Sequence, residues 1–123
     1  MDSMTLDEIR EYLLNNKFLF SIGPWGQSRD GANEIMCVSV RRYSDGRMEK
    51  GSYISIDPFN SKITEGAERG SNGGVDIPEG LRNYIIEGLK EYAENPLYTP
   101  NSLNDIRNIS KQVRKKLDSI SSA

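Results

Sequence analysis

Apolar residues recur along this chain with two different periods, and the switches between them predict its architecture. From Asp76 to Asn95, Leu81, Tyr84, Ile85, Gly88, Leu89 and Tyr92 fall on one face of a helix. Asp76 and Glu79 have the spacing of a capping box, Pro78 falls in the first turn, and Asn95-Pro96 ends the element. A second helical pattern runs from Thr5 to Asn16, with Thr5 and Glu8 as its capping box and Leu6, Ile9, Tyr12 and Leu13 turned inward. Ser102 is expected to open a third helix, with Asp105 in the box position. Its stripe is Leu103, Ile106, Ile109 or Ser110, Val113, Leu117 and Ile120, and its end frays from Ser119 to Ala123.

Between the first two helices the period drops to two. Phe18, Phe20 and Ile22 alternate within Lys17 to Ile22. Asn33 to Tyr43 sets Met36, Val38 and Val40 against Ile35, Cys37 and Ser39; both sets are partly apolar, as in a central strand. Ser44-Asp45-Gly46 signals a hairpin, and Arg47 to Ile56 returns with Ile54 and Ile56 inward. After a turn at Asp57 to Asn60, Lys62 to Thr64 makes a short strand. Gly23 to Gly31 and Glu65 to Gly74 hold three and four glycines, so both are expected to be irregular loops. Pro96 to Pro100 is an extended connector. The expectation is a single α+β domain over residues 1–123. It has a short N-terminal helix, an antiparallel β-sheet of three to five strands, and two C-terminal helices packed on the sheet and at an oligomer interface.

Composition sharpens this picture by removing chemistries. The chain has no histidine, which excludes His-based triads, an imidazole general base and His-ligated zinc. Its one cysteine, Cys37, excludes an internal disulfide and a Cys-cluster metal site, and suits a reducing cytoplasm. The acidic residues that could serve catalysis (Asp7, Glu8, Asp30, Asp57, Asp76 and Glu79) each have a capping or turn role instead. A binding protein without metal or cofactor is therefore expected, and not an enzyme. Net charge of −2 argues against general affinity for DNA or acidic membrane, and there is no long apolar run and no signal peptide. Only 36% of the 123 residues are hydrophobic, so the core is expected to be completed by self-association, at least as a dimer.

Two constellations could carry binding. Arg107, Lys111 and Arg114 are spaced to line one helical face, where successive cations can address a phosphate group; a solvated basic helix end that complements the macrodipole has the same sequence. Trp25, the only tryptophan, sits between glycines with Gln27 and Arg29, either as a plug in the core or as a flat platform for stacking. Tyr98 and Asn95 add a π-face and an amide, and complete the inventory of a nucleotide pocket. Arg41, Arg42, Arg47 and Lys50 crowd the hairpin and read as a solvated edge. The Glu65 to Gly74 loop lacks the spacing of a phosphate-binding loop.

Three stretches, FSIGPWGQSRDGANEI (Phe20 to Ile35), IDPFNSKI (Ile56 to Ile63) and GVDIPEGLRNYIIEGL (Gly74 to Leu89), resemble the phage anti-Thoeris nucleotide sponges of the first type. The resemblance implies a cytoplasmic protein of the infected bacterial host. It would bind a cyclic ADP-ribose isomer made by a TIR-domain defence protein and sequester the signal without cleaving it. It also implies assembly from dimers and sites between protomers, with an aromatic group on adenine and arginines of the C-terminal helix on phosphate. Some members bind cyclic oligonucleotides at a separate site. Here Arg107 and Arg114 are the arginines that could serve; the turn-spaced partner of Arg107 is Lys111, which keeps the charge but loses the planar fork. The alternative is a phage interaction protein that blocks a host defence protein, such as a CRISPR effector, by direct contact.

Overall fold

The Thr5 hydroxyl accepts from the Glu8 amide at 3.2 Å, and the Glu8 carboxylate accepts from the Thr5 amide at 2.9 Å. This reciprocal cap opens helix α1, Leu6–Asn16, which ends as Lys17 turns left-handed. In the computed structural model, which describes residues 3–27 and 34–121, the order continues with strands and then two helices. The strands are β1 (Phe18–Gln27), β2 (Glu34–Ser44), β3 (Arg47–Met48), β4 (Ser52–Asp57) and β5 (Lys62–Ala67). The helices are α2 (Glu79–Glu94) and α3 (Asn101–Ser121). All strand pairs are antiparallel, in the order β1-β2-β4-β5, with the short β3 also paired to β2. The chain is thus α+β, a five-stranded antiparallel sheet with one helix before it and two after it.

Register decides which face is greasy. Phe20 lies opposite Val40, Ile22 opposite Val38, Val38 opposite Ile54 and Met36 opposite Ile56, so these side chains share one face. The helices cover that face with Ile9 and Leu13 of α1, Leu81, Ile85 and Leu89 of α2, and Leu103, Ile106 and Val113 of α3. Burying each such side chain is worth about 1.5–3 kcal/mol, which is what holds three helices to a sheet in so polar a chain. Gly88 lets α2 and α3 meet closely, since a Cβ there would lie 2.7 Å from Leu103 Cγ.

Helix α3 also closes the sheet's outer edge. The Ser110 hydroxyl accepts from the Phe20 amide at 2.8 Å and donates to the Phe20 carbonyl at 3.2 Å. Arg107 donates to the Ile22 carbonyl at 3.3 Å. The open backbone groups of β1 are thereby satisfied by a helix instead of a further strand.

Several boundaries differ from the sequence expectation. Strand β1 runs on through Gly23-Pro24-Trp25-Gly26 to Gln27, with a register shift at Trp25 between Pro24 and Gly26. Pro24 is tolerated because it shares the parity of Phe20 and Ile22, whose amides point off the edge, so its missing N–H costs no ladder bond. The expected Arg47–Ile56 strand breaks into β3 and β4 at Gly51, where a Cβ would run into the Val40 carbonyl. Strand β5 extends to Ala67, because Glu65 and Gly66 pair with Ile54 and Tyr53. Helix α2 starts at Glu79 with Pro78 as its N-cap and no side-chain cap, so Asp76 and Glu79 do not form a capping box. The Asp76 carbonyl instead accepts from the Tyr12 hydroxyl at 2.7 Å. Helix α3 begins one residue before Ser102, with its first bond from the Asn104 amide to the Pro100 carbonyl at 3.1 Å, and continues to Ser121. Ile120, expected in the apolar stripe, is 62% exposed.

Candidate functional site

The face of the sheet away from the helices carries a different set of side chains. Ser21, Cys37, Ser39, Arg41, Tyr53 and Ser55 project there by strand alternation. Small residues on β2 leave a shallow floor, and the bulge at Trp25 turns its indole across it towards β4. The Trp25 and Tyr53 rings lie 5.2 Å apart at 34°. Trp25 is 59% exposed, so it is a surface platform and not a plug in the core.

The floor is walled on the β5 side by a clamp. Arg41 Nε and Nη2 donate to the two Glu68 carboxylate oxygens at 2.9 and 2.8 Å, and the Gly51 amide adds a third bond to Glu68 at 3.0 Å. Arg41 and these bonds hold the Glu68 carboxyl below its ordinary range, while Glu68 holds the guanidinium charged. Burial pushes the Cys37 thiol up, so at neutral pH it stays protonated and is not a nucleophile.

Three clefts share some of their lining residues. One of about 410 Å³ lies between Trp25, Tyr53, Lys50, Glu68 and Arg69 over Cys37 and Ser39. A second, about 340 Å³, shares Trp25, Cys37 and Ser39 with it and continues past Pro24, Gly23 and Ile22 to Ser21. The third, about 250 Å³, shares Ser21 and Ile22 with the second and is lined by Arg107, Lys111 and Arg114 of α3 together with Ser110 and Met48. The first two lie on the helix-free face, and the third lies beside α3 at the β1 edge. Comparison with protein-family models, curated proteins and solved structures finds no match for this chain.

Four of the residues singled out in the sequence line these neighbouring clefts, Arg107, Lys111 and Arg114 the third and Trp25 the first two. Arg107 is half-buried against the Ile22 carbonyl. Arg114 lies 5.7 Å from the Tyr43 ring centroid and 3.9 Å from Asp118. Lys111 is exposed and pairs with no carboxylate among the described residues. Asn95 and Tyr98 lie elsewhere, at the α2–α3 connector, where the Tyr98 amide donates to the Asn95 carbonyl at 3.0 Å; neither lines any of the three clefts. The backbone of Gln27 closes β1 opposite Glu34, and Arg29 lies outside the described residues.

Sequence reasoning missed Tyr53, Ser39 and Arg41 as parts of a site. Tyr53 was legible: it alternates with Ile54, which the same strand turns inward. Nothing in the sequence tied it to Trp25, which reaches it across the intervening strand. Chemically, the three clefts offer cations, hydroxyls and a stacking surface. Among the described residues no group of three or more His, Cys, Asp or Glu could hold a metal ion, and no helix is long and apolar enough to cross a membrane.

Proposed function

We propose that this protein binds a nucleotide signal of the cyclic ADP-ribose type and withholds it from its effector without cleaving it. The single observation that supports this most is adjacency: the cleft of the Arg107, Lys111 and Arg114 row shares Ser21 and Ile22 with the cleft that holds Trp25. Phosphates suit the cations and a purine suits the indole, and the two stand in neighbouring clefts. The resemblance of the Phe20 to Ile35 and Gly74 to Leu89 stretches to the phage anti-Thoeris sponges supports the same ligand class, with self-association and a cytoplasmic place of action as parts of the proposal.

A ligand that binds only the folded state raises its melting temperature. A thermal-shift panel of cyclic ADP-ribose isomers, cyclic dinucleotides and NAD tests the reading, followed by recovery of the ligand after denaturation. A rise in Tm with intact ligand recovered is expected. Product accumulating with time would make the protein an enzyme instead, and indifference to the whole panel would reject the reading.

A second reading draws on a separate observation. Leu97 is 99% exposed beside Tyr98 at the α2–α3 connector, a bare apolar knob outside the three clefts. Direct blockade of a host defence protein would use such a knob. A stable complex in pull-down that Leu97→Asp abolishes, with no response to nucleotides, would favour it.

A further inference from the structure

We infer that two copies of this chain join through the free edge of β5, antiparallel about a two-fold axis at Ile63, to make one continuous sheet. The inference rests on the self-association included in the proposed function and gives it a definite surface; it uses no part of the nucleotide reading. The two edges of the sheet are finished differently. On β1 the outward backbone groups of Phe20 and Ile22 are taken by Ser110 and Arg107 of α3. On β5 the Glu68 amide, donating to the Gly51 carbonyl at 2.6 Å, fixes the parity of the ladder. Lys62, Thr64 and Gly66 turn their backbone groups to β4, and Ile63, Glu65 and Ala67 turn theirs outward. Among the described residues no other strand pairs with β5, and no side chain bonds to those outward groups. Such an edge is a template for a further strand.

Side chains point to a second copy as the added strand and select its register. An antiparallel partner sets outward residues against outward residues. An axis at Glu65 would oppose two carboxylates, one at Lys62 two ammonium groups, and one at Thr64 would set Ile63 against Glu65. An axis at Ile63 instead opposes two half-buried isoleucines and places Thr64 beside Lys62. The ends of the strand then match as well. Phe59, 59% exposed, is held at the entry to β5 by Asp57, whose carboxylate accepts from the Phe59 amide and the Asn60 side chain at 2.9 Å each. Beside the exit of β5, Ala67, Val75 and Ile77 line a cleft of about 330 Å³. Phe59 and Ala67 stand equally far from Ile63 along the chain, so the axis carries each exposed ring towards the other copy's apolar hollow. Of the two C-terminal helices expected at an oligomer interface, α2 borders this edge, through Arg82 on Glu65 at 2.8 and 2.6 Å, and α3 lies at the opposite one.

Sedimentation velocity of the full chain over a dilution series is expected to show a reversible dimer. Ile63→Cys puts two thiols across the axis at the Cα separation of a hydrogen-bonded pair, about 5.5 Å, which lies within disulfide range. Mild oxidation should then give a covalent dimer on a non-reducing gel. Glu65→Cys, whose two copies lie about 13 Å apart or more in this register, should give none, as should the wild type with its buried Cys37. Ile63→Lys and Phe59→Ser, each checked for folding by circular dichroism, should weaken the dimer by about tenfold or more. A dimer that survives Ile63→Lys unweakened, or a cross-link at Glu65→Cys but not at Ile63→Cys, overturns the inference and leaves self-association standing. A monomer at every concentration overturns both and leaves the edge to an extended segment of another protein. Nucleotide binding is read separately by the thermal-shift panel, so a protein indifferent to nucleotides that still cross-links at Ile63→Cys would lose the proposed function and keep this contact.

Discussion

The two faces of the sheet are buried to similar degrees and for opposite reasons. Under the helices, Val38, Val40 and Ile54 are fully covered, each touching apolar side chains of another element. On the other face Cys37, Ser39 and Ser55 are nearly as hidden, at 6%, 7% and 3% exposure, yet none of the described helices lies over them. They are hidden by being short among long neighbours on their own face: Trp25, Tyr53, Arg41 and Glu68. Low exposure on the first face marks packing, and on the second it marks the bottom of a depression. The same strands therefore supply a core through one set of positions and a binding floor through the alternate set.

The sharpest way to break that comparison is to truncate one residue on each side. Leu89→Ala, under the sheet, should cost about 2–5 kcal/mol in urea denaturation because it leaves a cavity between α2 and the sheet. Ser39→Ala should change stability by no more than roughly 0.5 kcal/mol. Comparable losses from both would mean the helix-free face is a second core. Next in size is Gly88→Ala, where the added methyl would meet Leu103 and the Ser102 hydroxyl at 2.7–2.8 Å. Overpacking of this kind costs about 1–3 kcal/mol, read as a lower denaturation midpoint.

The clamp on the helix-free face gives a pH-dependent test. Glu68 is held below the ordinary glutamate range, so its contribution is present above that range and is lost as pH falls through the lowered value. Glu68→Gln should lower stability by about 1–2 kcal/mol at pH 7, and the gap to the wild type should narrow as pH falls from the ordinary glutamate range through the lowered value. Denaturation midpoints of both proteins at pH 7 and pH 3 measure this, and a gap that persists in acid would assign the effect to shape instead of charge. The smallest expected effect is Trp25→Ala. With the indole mostly in solvent, only its stacking on Tyr53 is lost, about 0.5–1.5 kcal/mol, whereas a core tryptophan would lose about 3–5.

Much of the fold was legible in the chain. Periodicity placed the three helices, and the capping box at Thr5 and Glu8 is formed with both of its bonds. The matching spacing at Asp76 and Glu79 failed, since Pro78 itself holds the cap position. Glycine content misled twice, at Gly23 to Gln27 and at Glu65 to Ala67. In each place pairing with a neighbouring strand overrode local preference, and pairing partners are distant in sequence.

By itself, then, the sequence determined what kind of elements form and which chemistries are missing. Those follow from side-chain period and from the absence of histidine, both local properties. Only the tertiary structure decided that Trp25 faces solvent beside Tyr53 and that the α3 cations line a cleft neighbouring its own while Asn95 and Tyr98 do not. Those outcomes depend on strand register, on a single-residue bulge and on where α3 crosses the sheet edge, and none of these is encoded in any one segment.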